Sequence, residues 1–126
     1  MTVGEAMERA AALRPGDAIA DSTKHAWLRE LDGTLRAQLF GPGSGAGFQS
    51  AGADLSWNGG LDDGVELLVP APFDRLYPHY LCAMIDGALG EIDRYSGEMS
   101  QYNSMLAEFT LWLRRRRPPR PARVKW

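Results

Sequence analysis

Val3, Ala6, Met7, Ala10 and Leu13 recur at the spacing of one helix face, which predicts a first helix over Val3 to Leu13. Thr2 stands at its N-cap, and Glu5 three residues on completes a capping box. Arg14-Pro15-Gly16 ends it, because proline cannot continue the hydrogen-bond ladder. A second helix starts near Asp21-Ser22, with Trp27, Leu28, Leu31, Leu35 and Leu39 as its apolar stripe. Lys24, Arg29, Glu30, Asp32 and Arg36 fall off that stripe and are expected in solvent. Gly33, inside the helix, costs about 1 kcal/mol relative to alanine and points to bending or fraying there.

From Phe40 to Gly64 eight glycines break every period, which predicts a long flexible loop in which Phe48, Leu55, Trp57 and Leu61 are docking or short-hairpin positions. Val65 to Val69 reads as a short extended segment, after which Pro70 and Pro72 hold the backbone extended and Pro72 leads into the helix as a first-turn residue. A third helix then carries Leu76, Tyr77, Tyr80, Leu81, Met84, Ile85, Ala88, Ile92 and Tyr95, with the break expected at Ser96-Gly97. Met99, Tyr102, Met105, Leu106, Phe109, Trp112 and Leu113 form the stripe of a fourth. Two such helices joined by a short turn pack antiparallel. The expected fold is therefore mainly α. It is one small helical domain over residues 1–113, with a C-terminal antiparallel helical hairpin, a flexible Gly-rich loop over 40–64 and an extended basic Pro/Arg-rich tail over 114–126.

Charge sharpens that division. Residues 1–113 carry all 16 acidic groups against 7 basic ones, a net charge of −9, whereas residues 114–126 carry 7 basic groups and no acid. An acidic body disfavours nucleic acid along the main surface, while the basic end suits an acidic protein or a phosphate backbone. With 126 residues, 44% hydrophobic and 24% charged, the chain is sized and composed for one modest globular core. No apolar run approaches the ~20 residues that span a bilayer, and Met1-Thr2-Val3-Gly4-Glu5 lacks the basic-then-apolar order of a secretory signal, so synthesis in a cytoplasm is expected. The lone Cys82, at helical spacing among apolar residues, reads as a buried, inert thiol.

Catalytic, cofactor and metal chemistry find little purchase. The Gly41-to-Gly47 run lacks the closing Gly-Lys-Ser/Thr of a phosphate loop. His79 with Cys82, or His25 with Asp62 and Asp63, do not offer the paired ligand spacing of structural zinc. The carboxylate pairs Asp62/Asp63 and Asp86/Glu91 have no nucleophile or oxyanion donor in sequence reach, and turn or helix-surface roles explain them. The expectation is no enzyme, no cofactor and no metal. The candidate partner-binding residues are Arg114, Arg115, Arg116, Arg117, Arg120, Arg123, Lys125 and Trp126. Guanidinium groups bond carboxylates or phosphates in pairs, and tryptophan anchors protein interfaces or stacks on bases.

One long stretch resembles a known family. Leu67-Leu68-Val69-Pro70-Ala71-Pro72-Phe73-Asp74, then Leu76-Tyr77, His79-Tyr80-Leu81, Ile85-Asp86, Glu91 to Tyr95, Tyr102-Asn103, Phe109 and Trp112, stand in an order similar to that of the head-tail connector (adaptor) proteins of tailed phages. Glu5-Ala6, Ala12 to Pro15 and Trp27 to Gly33 extend the resemblance to most of the chain outside the loop and tail. It implies a structural protein of the virion neck, assembled in the host cytoplasm. As implied, it is a ring, usually dodecameric, beneath the portal protein, extending the DNA channel without specific DNA binding and seating the next neck or tail-completion protein. No membrane is involved. The arginine-rich tail and glycine-rich loop depart from the family pattern. The alternative is a small nucleic-acid-binding packaging or regulatory protein anchored by the same arginines.

Overall fold

The computed structural model describes residues 1–39 and 63–116, and it is mainly helical. The helices are α1 (Val3–Leu13), α2 (Asp21–Leu39), α3 (Leu76–Ala88) and α4 (Ile92–Arg116), with a single 3-10 turn at Phe73–Arg75 leading into α3. Among the described residues the only β pairing is an isolated antiparallel bridge between Thr2 and Glu66.

The α1 capping box is formed: the Glu5 N–H donates to Thr2 Oγ1 at 3.2 Å and the Thr2 N–H to Glu5 Oε1 at 2.9 Å. Its buried face, Val3, Ala6 and Ala10, is made of small side chains, so the helix axis lies close to the core. Ahead of it the chain runs beside the extended segment after residue 62. Val3 donates to the Val65 carbonyl, Leu67 to that of Met1 and Gly4 to that of Asp63, each at 2.9 Å. This approach needs a glycine, since a Cβ on Gly4 would stand 2.9 Å from the Asp63 Cβ. The expected loop therefore ends earlier than Gly64: Asp63 and Gly64 are already seated against α1, while 40–62 lie outside the described residues.

Helix α2 continues unbroken through Gly33 and buries Leu28, Leu31 and Leu35. Lys24, His25 and Asp32 are buried with them. The expectation that Lys24 and Asp32 face solvent is corrected: they stand one turn from Leu28, so they share its face.

The break between the last two helices is also corrected. It falls at Leu89–Glu91, and α4 runs straight through Ser96 and Gly97. Gly90 adopts φ +79°, with Gly90 N–H bonded to the Gly87 carbonyl at 3.3 Å and Glu91 N–H to that of Asp86 at 2.8 Å. That pair of bonds is the Schellman arrangement, which closes a helix on a left-handed glycine. Ile92 and Tyr95 continue the apolar period across the junction by sequence alone, but they belong to α4.

Contacts between α3 and α4 run in opposite directions along the two helices. Tyr95 lies over Gly87, His79 bonds Glu98, Tyr80 meets Tyr102 at 5.2 Å between ring centroids, and Phe73, just ahead of α3, meets Phe109 at 5.6 Å. Tyr77, Leu81, Tyr102, Phe109 and Leu113 fill the shared interior in one core cluster with Leu28 and Leu35 of α2. Helix α4 extends to Arg116, so Arg114, Arg115 and Arg116 lie in its last turn, and residues 117–126 of the expected tail lie outside the described residues.

Candidate partner-docking site

The end of α4 is built on aromatic rings. Pro70 and Pro72 steer the chain into the 3-10 turn, whose N–H of Phe73 bonds the Pro70 carbonyl at 3.0 Å. Phe73 is thereby set 5.3 Å from Trp112 and 5.6 Å from Phe109, while Phe109 and Trp112 stack at 5.9 Å. Trp112 is half-buried, and the Arg116 guanidinium lies over its ring, 5.0 Å from the centroid. A cation there gains from the ring quadrupole. Arg114, Arg115 and Arg116 are all exposed, and as successive residues they fan around the helix axis about 100° apart. They also complement the negative end of the helix dipole. The arrangement presents three exposed guanidinium forks, one of them seated on Trp112, that suit carboxylate or phosphate oxygens. Arg117, Arg120, Arg123, Lys125 and Trp126, the remaining sequence candidates, lie outside the described residues.

At the other end of α4, Arg14 closes α1 against the bundle. Its Nε and Nη2 donate to the two oxygens of Asp86, both at 2.9 Å, and Nη2 donates again to Glu98 at 2.8 Å. His79 Nδ1 meets the other Glu98 oxygen at 2.7 Å, so three helices share one ionic cluster. Beneath it Cys82 is fully buried, and burial together with the Glu98 charge pushes its thiol up to about 11. The inert reading of Cys82 holds. His79 bonds Glu98, and Asp86 is engaged by Arg14, whereas Glu91 is exposed in the turn.

His25 Nε2 and Asp63 Oδ1 lie 3.0 Å apart beside a cleft of about 200 Å³ that Glu8, Asp21 and Lys24 also line. Lys24 is held by Asp17 at 3.0 Å. Burial works to raise the Asp17 pKa, but the Lys24 ammonium and the Ile19 N–H outweigh it and hold it lowered. Among the described residues no three His, Cys, Asp or Glu side chains converge as metal ligands.

Sequence reasoning missed a buried polar clamp. Asp32 Oδ2 accepts the Leu68 N–H at 2.8 Å, Tyr77 donates its hydroxyl to Asp32 Oδ1 at 2.6 Å, and that hydroxyl accepts the Val69 N–H at 2.9 Å. Two backbone donors of the extended segment are thus satisfied by side chains of α2 and α3. Burial raises the Asp32 pKa despite the bonds from Tyr77 and Leu68, and burial next to Asp32 holds the Tyr77 phenol well above its usual range. The available signal was spacing: Asp32 stands four residues after Leu28 and three before Leu35, inside the apolar stripe.

No protein-family model matches the chain, and comparison with curated proteins and with solved structures finds no match. No helix among the described residues is long and apolar enough to cross a membrane.

Proposed function

We propose that the chain is a structural protein of the tailed-phage neck, a head-tail connector that forms a ring under the portal and extends the DNA channel. The observation that carries the reading is the charge division. A helical body bearing the acidic residues ends in one long helix whose exposed last turn is Arg114-Arg115-Arg116, braced by Arg116 on Trp112. The arginine end docks onto an acidic surface of the portal, and the acidic body suits a conduit for DNA because a like-charged wall does not hold the phosphate backbone. The sequence order that resembles connector proteins supports the same assignment, and among the residues that carry it Ala6, Leu28, Leu67, Val69, Tyr77 and Phe109 are core residues.

Co-expression with the portal protein tests the proposal. Full-length chain is expected to co-purify with portals and to appear as a ring by electron microscopy. A chain cut after Pro118 that also carries Arg114→Ser, Arg115→Ser and Arg116→Ser keeps the buried face of α4, so it is expected to stay folded and lose the portal. The second reading, nucleic-acid binding, draws on the fanned arginines beside a half-exposed tryptophan, which also suit phosphates and a stacked base. Retention on DNA at low salt with steep release as salt rises, together with portal assembly unaffected by the cut, replaces the connector reading with that one.

A further inference from the structure

Among the described residues, helix α4 is covered on one side only. Tyr102, Phe109 and Leu113 are buried, whereas Ser96, Ser100, Asn103, Ala107 and Leu111, on the opposite side at 3.6 residues per turn, are all exposed. The stripe from Ser96 to Leu111 on that side carries no charge for four turns, and the exposed Arg94 and Glu108 stand along one flank of it. It is edged by a shallow groove of about 700 Å³ with Tyr95 and Met99 in its walls, and Ile92 and Leu111 stand 66% and 50% exposed at its two ends. A helix side that faces only water ordinarily carries charges along its length. On this stripe they appear only at the limits, Asp93 before the uncharged stretch and Arg114 and Arg115 after it, while Glu108 lies to its flank. Favourable helix-dipole placement accounts for the charged ends but not for the bare middle.

We propose that this side of α4 is a self-association surface, on which α4 of a second copy packs antiparallel about a two-fold axis between Asn103 and Ser104. Charge complementarity selects the occupant and its direction. In that register Asp93 faces Arg114 of the second copy at both ends, Leu111 lies over Ser96, and Ala107 lies against Ser100. Large side chains meet small ones, and the helices approach closely. A parallel pair would set Asp93 against Asp93 and arginine against arginine, which like-charge repulsion disfavours. An isologous contact closes at two copies, so it describes the free protein and goes beyond the ring reading, whose own test is portal co-purification.

Cross-linking and sedimentation on the full chain decide it. Ser104→Cys is expected to oxidise to a covalent dimer, because the two positions meet at the axis, while Cys82 stays buried and silent. Ser96→Cys alone is expected to stay unlinked, its two copies being about 22 Å apart along the helices. Mixed with Leu111→Cys it is expected to link. Ala107→Glu, at an exposed position that leaves the fold intact by circular dichroism, should weaken the dimer about tenfold or more in sedimentation equilibrium. Asp93→Arg should weaken it too, and adding Arg114→Asp in the same chain should restore it. A protein that stays monomeric across a concentration series without a Ser104→Cys link overturns the proposal. So does self-linking of Ser96→Cys, which signals a parallel pair, or a dimer indifferent to Ala107→Glu.

Discussion

Tyr77 ties α2, α3 and the extended segment together, because its hydroxyl both donates to Asp32 and accepts from the Val69 N–H. Tyr77→Phe keeps the ring's packing but leaves a buried N–H and a buried carboxylate oxygen short of a partner, so a loss of about 1 to 3 kcal/mol is expected in urea unfolding. Arg14→Ala strips the partner from Asp86, whose side chain is 1% exposed. A loss of about 3 kcal/mol is expected, with much of it recovered when Asp86→Leu is added. The two shifted aspartates pull the pH dependence in opposite directions. Asp32 has a raised folded pKa, so its contribution is fully present below the unfolded value of about 3.9 and is lost as pH rises through the folded value. Asp17, lowered, contributes above that same unfolded value and loses it as pH falls through its folded one. Asp17→Asn should therefore flatten the acid limb of a stability profile, whereas Tyr77→Phe should leave that limb in place.

At the level of elements, local signals were legible where they were self-contained. The α1 bounds, its cap and its box follow from Thr2, Glu5 and Pro15 alone. The start of α2 at Asp21 was equally readable, and Pro72 does stand at the entry to the turn before α3. The α3–α4 break was not, because Ile92 and Tyr95 happen to prolong the α3 period and the deciding feature is the backbone state of Gly90. Polar residues inside the α2 stripe were misplaced for a related reason. Hydropathy ranks Asp32 as surface, and the Leu68 N–H and the Tyr77 hydroxyl, both over thirty residues away, make its burial tolerable. Glycine substitutions separate these cases. Gly90→Ala forces an L side chain into the left-handed region and should destabilise by about 1 kcal/mol. Gly33→Ala, with open space around the added methyl group in mid-helix, should stabilise by up to about 1 kcal/mol. Thermal melts of the two variants should move in opposite directions.

For the molecule as a whole, the helical class and the division into acidic body and basic end were legible, because composition and period report them directly. The docking end was legible only in part: the arginines stand out in sequence, but the Phe73–Trp112–Arg116 stack depends on where the proline-led turn delivers a ring to another helix. The rungs joining Met1, Val3 and Gly4 to Asp63, Val65 and Leu67 carry a further consequence, this one for biosynthesis. Helix α1 is made first, yet its backbone rungs and the Asp86 carboxylate that receives Arg14 come from the second half of the chain. On a translating ribosome it therefore waits undocked until that half has left the exit tunnel. Closure of the domain is then a late, nearly single event, and a nascent chain stalled before Asp86 should remain open to protease at α1 however well that helix is capped.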